Sequence, residues 1–360
     1  MSKIMKGGII GCGFFAARHI EAWRRMPDVE VAAAADLRLD RAERFAKRAY
    51  RSAEEMLDRE QLDFVDIVTR AEQHLPLVKL AVERKIPVIC QKPIAPDWAT
   101  ALQIVNTAES AGVPLMIHEN WRWQAWHRVA HQMIARGDIG APIGYGFRYR
   151  TYDGVGDEPY PKQAYFRKLR KFLIDEGLVH HIDTARFLFG EVANVYAQGG
   201  SRNRNVAAED WAILVLTHEG AVHGWIDGHS FLAPDPDGPA AGDVFFEGEL
   251  GTISIPATGD VYLNRMLAWN NDVTAGYRGD SVHGTQVHFI SCLKDGSRFE
   301  TGGREYLRTY AAVEAAYRSL AERRVVSLAE IIEQRTGVNS DESTCTNGIQ
   351  AKNSDERFSV

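Results

Sequence analysis

The stretch IDEGLVHHIDTARFLFGE, residues 174–191, sets two histidines side by side among carboxylates: Asp175, Glu176 and Asp183 flank His180 and His181. An imidazole, with a reference pKa of about 6.5, is the side chain best suited to take up a proton near neutral pH. A helix over 176–189 puts Glu176 and His180 at i and i+4 on one face, with Asp183 three residues further on. His181 is then turned about 100° away. A carboxylate at that spacing can orient the ring and stabilise its protonated form, and Asp175 competes with Glu176 for that role. Lys92, in VICQKPIAP (88–96), directly follows an apolar strand. At the carboxyl end of a parallel strand its ammonium would sit beside a reacting oxygen and stabilise negative charge developing there. Together these residues suit the removal of a hydroxyl proton.

A second constellation lies at the start of the chain. Gly11, Gly13 and Ala16 form G-x-G-x-x-A after a strand and at the opening of a helix. The first glycine permits a tight turn, the second lets a pyrophosphate approach the backbone, and the small third residue lets helix and strand pack closely. The helix N-terminus adds unpaired N–H groups and a positive dipole end. Phe14 and Phe15 of the same turn are counted as cofactor-facing. VEVAAAAD places Asp36 at the end of the next strand, where a carboxylate accepts hydrogen bonds from a ribose 2′-OH and repels a 2′-phosphate. NAD is therefore the expected cofactor. Arg38, two residues on, keeps NADP open.

These residues need a scaffold to position them. GGIIG, VEVAAAAD, FVDIVT, IPVICQ and VPLMIHE read as buried strands; AARHIEAWRRM, RAERFAKRAY, HLPLVKLAVERK and WATALQIVNTAESAG read as amphipathic helices. The alternation implies an α/β domain, a Rossmann-type parallel sheet covered on both faces, over residues 1–124. From 125 to 335 the grammar changes. A helix, WHRVAHQMIARGDIG, and the strand-like IGYGFRYRTYDG precede the histidine helix. Then come NVYAQGG, DWAILVLTH, AVHGWIDGH, DVFFEGELGTISI and VYLNRMLAW, and a helix near 303–323. This predicts an α+β domain with a large open, mainly antiparallel sheet, one face of which could pair with another subunit as a homodimer or homotetramer. Residues 336–360 are polar and nearly pattern-free, and are read as a disordered tail.

Composition narrows the function. The chain has 360 residues, 45% hydrophobic and 25% charged, with net charge −6 and a pI near 6.1. That argues against nucleic-acid binding. GGIIGCGFFAA after Lys3 and Lys6 only vaguely copies a signal peptide, and no run of 18 apolar residues suggests a membrane span. Cys12, Cys90, Cys292 and Cys345 lack CxxC spacing, so a reducing, cytoplasmic setting is the simpler reading. His127 and His131 make H-x-x-x-H, but Arg128 stands where a zincin needs glutamate, and a solvated helix face is expected. His283 and His288, five apart, do not share a helical face. No metal is expected.

TRAEQHLPLVKLA (69–81), VICQKPIAP and EGLVHHIDTARFLFGE, with the GCGFFA turn, resemble in order and spacing the Gfo/Idh/MocA oxidoreductases, the glucose-fructose oxidoreductase and inositol dehydrogenase family. The resemblance covers about residues 5–335. It implies a Rossmann domain followed by an α/β domain with a large open sheet, and reversible NAD(P)-linked oxidation of a sugar or cyclitol hydroxyl. Lys92 matches the lysine of the family's E-K-P, Glu176 and His180 match its D-x-x-x-H pair, and Asp183 matches the aspartate that follows. The chain departs at Gln91, at Arg70 in place of a proline, and at Glu176 in place of an aspartate. Gln91-Lys92-Pro93 with HENWRWQAW (118–126) is similar to a narrower branch of the family.

The resemblance implies that His180 is the base, that Lys92 polarises the reacting oxygen and that Glu176 steers the imidazole. Thr69, His74, Gln91, Lys92 and Asn120 are candidates for the cofactor side. Glu119, Trp121, Arg122, Tyr152, Asp153 and Arg167 are candidates for the carbohydrate side. Two other readings stay open: an NAD-dependent glycosidase of the same family and a non-catalytic sugar- or dinucleotide-sensing regulator.

Overall fold

The structure is a computed structural model that describes residues 4–232 and 240–333. The segment read as a disordered tail, and Cys345 with it, lies outside the described residues.

The first half alternates strand and helix: β1 (Met5–Ile10), α1 (Ala16–Arg24), β2 (Val29–Ala35), α2 (Leu39–Ala42), β3 (Arg48–Tyr50), α3 (Ala53–Arg59), β4 (Phe64–Ile67), α4 (His74–Glu83), β5 (Val88–Gln91), α5 (Trp98–Ser110) and β6 (Leu115–His118). The six strands pair in parallel in the order β3-β2-β1-β4-β5-β6. That is the order of a doubly wound dinucleotide fold, whose ligand crevice opens at the carboxyl ends of the strands. β4, β5 and β6 are buried along their whole length, as their unbroken apolar runs require. One expectation is corrected here. RAERFAKRAY is not one helix: α2 stops at Ala42, and Arg48–Tyr50 adds an edge strand to β2.

The second half comprises α6 (Ala125–Arg136), β7 (Pro142–Arg150), α7 (Val179–Phe189), β8 (Val192–Gly200), β9 (Trp211–His218), β10 (His223–His229), β11 (Val244–Gly248), β12 (Gly251–Ile255), β13 (Val261–Leu263), β14 (Met266–Trp269), α8 (Ser281–Asp295), α9 (Gly303–Glu322), β15 (Val326–Ser327) and α10 (Leu328–Glu333). Among the described residues its strands form one sheet in the order β14-β13-β12-β11-β7-β10-β9-β8-β15. All neighbours are antiparallel except β7 and β10. DVFFEGELGTISI and VYLNRMLAW each fold back as a hairpin. In the second, Asn264 and Arg265 take φ of 50° and 69°, the positive pair that a type I′ turn demands. β9 alternates strictly: Ala212, Leu214, Leu216 and His218 are buried, while Trp211, Ile213 and Val215 are exposed.

Three further findings differ from the sequence reading. The fifteen-residue helix α8 was not foreseen. His127 is not on a solvated face: it is buried, with Nδ1 3.0 Å from the Trp121 carbonyl. His131 stacks on Phe187 at 4.3 Å between ring centroids. The halves are sewn together by backbone as well as side chains. Ile117 N–H donates to Thr301 O at 2.8 Å, and Met116 bridges Gly302 beside β6. Among the described residues no helix is long and apolar enough to cross a membrane.

Candidate active site

The coenzyme loop runs from β1 into α1. Gly11 has φ +90°, and a Cβ there would fall 2.7 Å from the Val68 carbonyl oxygen, so only glycine fits. Gly13 is different: a Cβ there would meet nothing within 4 Å. The protein's own packing does not require glycine at 13, whereas a pyrophosphate closing on the loop's N–H groups does, and the residues present fit a dinucleotide. Ala16 is fully buried against the sheet. Asp36, just past β2, is held by two backbone donors, Cys12 N–H to Oδ2 and Arg38 N–H to Oδ1, each at 2.8 Å. This fixes a carboxylate beside the glycine turn, as recognition of a ribose diol requires. Arg38 turns its guanidinium to Asp40 at 2.8 Å. Phe14 is half exposed, and Phe15 packs edge-on against His19 and Tyr277.

Several residues placed on the cofactor side make hydrogen bonds within the framework. His74 is fully buried, with Nδ1 3.0 Å from Ile94 O and Nε2 3.2 Å from Thr69 O. It braces the loops after β4 and β5, and half-buried Thr69 meets it through its backbone carbonyl. The Gln91 side chain turns inward. Its Oε1 accepts the Lys92 N–H at 2.7 Å and its Nε2 lies 2.9 Å from His19 Nε2. His19 Nδ1 in turn lies 2.8 Å from Asp66 Oδ2, which also accepts from Trp23 Nε1–H. Asn120 donates to Ser281 Oγ at 2.7 Å, tying the end of β6 to α8.

The candidate catalytic groups meet where β5 and β6 end and α7 begins. Lys92 Nζ donates to the Glu176 carbonyl and to Glu176 Oε2, both at 2.8 Å. His180 Nδ1 lies 2.6 Å from Glu119 Oε1. Arg122 grips Asp183 with two parallel bonds of 2.7 Å. Lys92, Glu119 and Arg122 come from the first half and its exit; each takes one of Glu176, His180 and Asp183. The expected face therefore exists, but its members bond across the cleft rather than to one another. This corrects the expected pairing of Glu176 with His180.

The local reason is a π-helical turn over Leu173–Leu178 ahead of α7, which changes the rotation between positions 176 and 180. Glu209 pins its start, accepting at Oε1 from Phe172 N–H and Ile174 N–H at 3.1 Å and from Tyr317 O–H at 2.6 Å. Asp175 does not partner His180. It is buried, and burial with the neighbouring Glu176 charge raises its carboxyl well above the ordinary range.

Environment tunes the groups apart. Burial holds His180 well below the usual imidazole value, and the Lys92 charge pushes the same way, so its ring is neutral near pH 7. Burial, with help from Asp183, pushes Glu119 up to about 8. Burial opposes the Lys92 charge most strongly, but Glu176, with the nearby charges of Glu119 and Asp175, outweighs it and raises the lysine above its usual value. Trp121 stacks on His180 at 4.6 Å with the planes 2° apart, fixing the ring. His181 belongs to an aromatic packing group with Trp121, Phe147 and Tyr149.

Three carbohydrate-side candidates are placed differently from expectation. Arg122 is 6% exposed and committed to Asp183, with Nη1 donating to Glu300 O at 3.2 Å; it is a buried strut. Tyr152 is 59% exposed, and Arg167 Nε donates locally to Ala164 O. No hydrogen bond or ion pair joins Tyr152 or Arg167 to the Lys92–His180 cluster among the described residues. Asp153 is nearer the site, since its charge reaches Tyr149 and Arg278. The sequence reading missed Glu119 as the partner of His180. No local periodicity signals a contact between residues 61 positions apart.

A Rossmann crevice with a buried histidine and a charged lysine at its strand ends defines a nicotinamide-linked oxidoreductase of hydroxyl compounds. Residues 5–119 match the model described as oxidoreductase family, NAD-binding Rossmann fold, and residues 127–254 match the GFO/IDH/MocA C-terminal domain. The chain belongs to the Gfo/Idh/MocA oxidoreductase family. It is 35% identical over 358 residues to a D-apiose dehydrogenase of Paraburkholderia graminis, covering 95% of this chain and 94% of that protein. A D-apiose dehydrogenase of Rhizobium rhizogenes is 31% identical over 347 residues, 91% of this chain and 99% of that one. The crystal structure of an oxidoreductase from Agrobacterium radiobacter in complex with NAD+, L-tartaric acid and magnesium matches with a TM-score of 0.82 and 30% identity. That match covers 91% of this chain and all of that one. The protein is an NAD-dependent sugar or polyol dehydrogenase.

Proposed function

We propose that the chain oxidises D-apiose at its anomeric hydroxyl to the lactone, with His180 as general base and Lys92 as the group that holds the reacting oxygen. The two D-apiose dehydrogenases at 35% and 31% identity support the substrate. So does the sequence resemblance of QKP and HENWRWQAW to that same branch. The observation that carries the mechanism is the pairing of His180 with Glu119 and of Lys92 with Glu176 at the strand ends.

When bound, NAD supplies the acceptor for the hydride that leaves carbon. The chain supplies the rest. Glu119 holds Nδ1, and no hydrogen bond engages His180 Nε2 among the described residues, so Nε2 takes the hydroxyl proton. An ammonium has three donors. Two of those on Lys92 go to Glu176, which aims the third at the substrate oxygen and stabilises its developing charge. We further place the boundary between coenzyme and substrate halves near residue 124. Oligomer contacts are assigned to the outer face of the second sheet, where Trp211, Ile213 and Val215 are exposed on one strand.

An NADH absorbance assay against D-apiose, other aldoses, polyols and inositols, with NAD and with NADP, tests the substrate. D-Apiose with NAD should give the highest kcat/KM, with NADH accumulating steadily. A tenfold faster inositol or hexose would overturn the assignment.

The pH profile tests the proton path. Below about 8 Glu119 carries a proton and donates it to Nδ1, which leaves the imidazole proton on Nε2 and blocks the base. Above that value the carboxylate accepts Nδ1–H and frees Nε2. Oxidation should therefore rise about tenfold per pH unit on the acid side and level off above pH ~8. In Glu119→Gln that limb should vanish; an unchanged limb assigns the titration elsewhere.

A further inference from the structure

The first turn of α9 carries a buried hydroxyl that the proposed proton path leaves unused. The helix starts against β6. Ile117 N–H donates to Thr301 O at 2.8 Å, Thr301 O–H returns to Ile117 O at 2.7 Å, and Met116 bridges Gly302. Tyr306 follows, its N–H on Gly302 O at 2.8 Å. The residues three and four positions beyond it share its face of the helix and tie that face to the site's frame. Thr309 O–H donates to Asp183 Oδ1 and Tyr310 O–H to Ala95 O, each at 2.8 Å. Tyr306 is 1% exposed, and among the described residues no group bonds to its hydroxyl. Burial raises that hydroxyl well above the usual phenol value, and the charges of Glu119, Asp183 and Asp175 add to it, so the group stays a donor.

Two of those carboxyls are incompletely matched. Glu119 spends Oε1 on His180 and on the Trp121 N–H, while its buried Oε2 has no partner among the described residues. Asp175 Oδ1 is buried and unmatched in the same way. Glu119 is faced by Lys92 from the end of β5, by Arg122 from the exit of its own strand, by His180 and Asp183 from α7, and by Tyr306 from α9. Lys92 gives two donors to Glu176, and Arg122 gives its fork to Asp183. The Tyr306 hydroxyl is the uncommitted donor. Buried polar atoms without a protein partner are satisfied by internal water, which makes about three hydrogen bonds.

We propose that Tyr306 is a positioning residue: through one internal water its hydroxyl holds Glu119 Oε2 and lowers the pH at which His180 is free to accept the proton. This rests on the reading of His180 as base and Glu119 as its partner. Donation to a carboxylate oxygen favours the ionised form, so Tyr306 works against the burial that raises Glu119.

The test is the pH profile of kcat/KM in Tyr306→Phe, which removes one oxygen and keeps the ring. The acid limb should move up by about one pH unit, which makes the variant about tenfold slower at pH 7. The two profiles should meet on the alkaline plateau, with KM for NAD unchanged. In a Glu119→Gln background the same change should have less than about a twofold effect, because the carboxylate it acts on is gone. A profile that superimposes on wild type, or a loss of equal size at every pH, overturns the proposal. A crystal structure of the wild-type enzyme with NAD should show an ordered water bonded to both Tyr306 Oη and Glu119 Oε2. Its absence there overturns the proposal whether or not the variant folds. Full turnover by His180→Asn would instead remove the reading of the site itself, so the two failures are separable.

Discussion

Replacing His180 by asparagine is expected to lower kcat for sugar oxidation by about 10²–10⁴-fold, the usual worth of a positioned general base. Asparagine keeps a polar group toward Glu119 but has no basic nitrogen to accept the hydroxyl proton. The structure separates this loss from any loss of coenzyme. The groups that fit NAD are the turn at Gly11 and Gly13 and the carboxylate of Asp36, and among the described residues no hydrogen bond or ion pair joins them to His180. NADH binding followed by fluorescence should therefore stay at the wild-type affinity. Added imidazole should restore part of the activity of His180→Ala, because a free base can enter the space the side chain leaves. Near-normal kcat in His180→Asn would remove the residue from the mechanism.

The second large effect is on stability. Asp183 is fully buried, and its carboxylate is balanced by Arg122 through two bonds of 2.7 Å and by Thr309 O–H at 2.8 Å. Arg122→Met leaves that carboxylate with a single hydroxyl donor in a water-poor site. Breaking one side of a buried pair costs about 3–5 kcal/mol, whereas replacing both sides with apolar groups of similar size is often neutral. Urea unfolding should show a midpoint well below wild type for Arg122→Met and most of it regained in Arg122→Met/Asp183→Leu. Equal midpoints for wild type and Arg122→Met would show that the pair carries no such burden.

The parts of the molecule legible in the sequence are those that local pattern dictates. The apolar runs of β1, β2, β4, β5 and β6 are continuous because both faces are buried, and the glycine turn has fixed spacing because its backbone must be bare. Arg48–Tyr50 was illegible because a three-residue edge strand pairs on one side only, and its charged neighbours repeat with a helical spacing. Helix α8 escaped because its buried face includes Thr285 and Gln286 among Val282, Phe289 and Ile290, which blurs the apolar stripe. At the site, the structure places Lys92 and His180 together at the strand ends, but their partners were not readable in the sequence. An i,i+4 rule assumes 3.6 residues per turn, and the π-helical turn around Glu176 breaks that assumption. Glu119 becomes a neighbour of His180 only through the packing of separate elements.

The three cross-cleft pairs, Lys92 with Glu176, Glu119 with His180 and Arg122 with Asp183, act as consecutive teeth of one fastener. In the proposed reaction both Lys92 and His180 are positioned by a partner from the other half, so turnover depends on how the two halves are aligned.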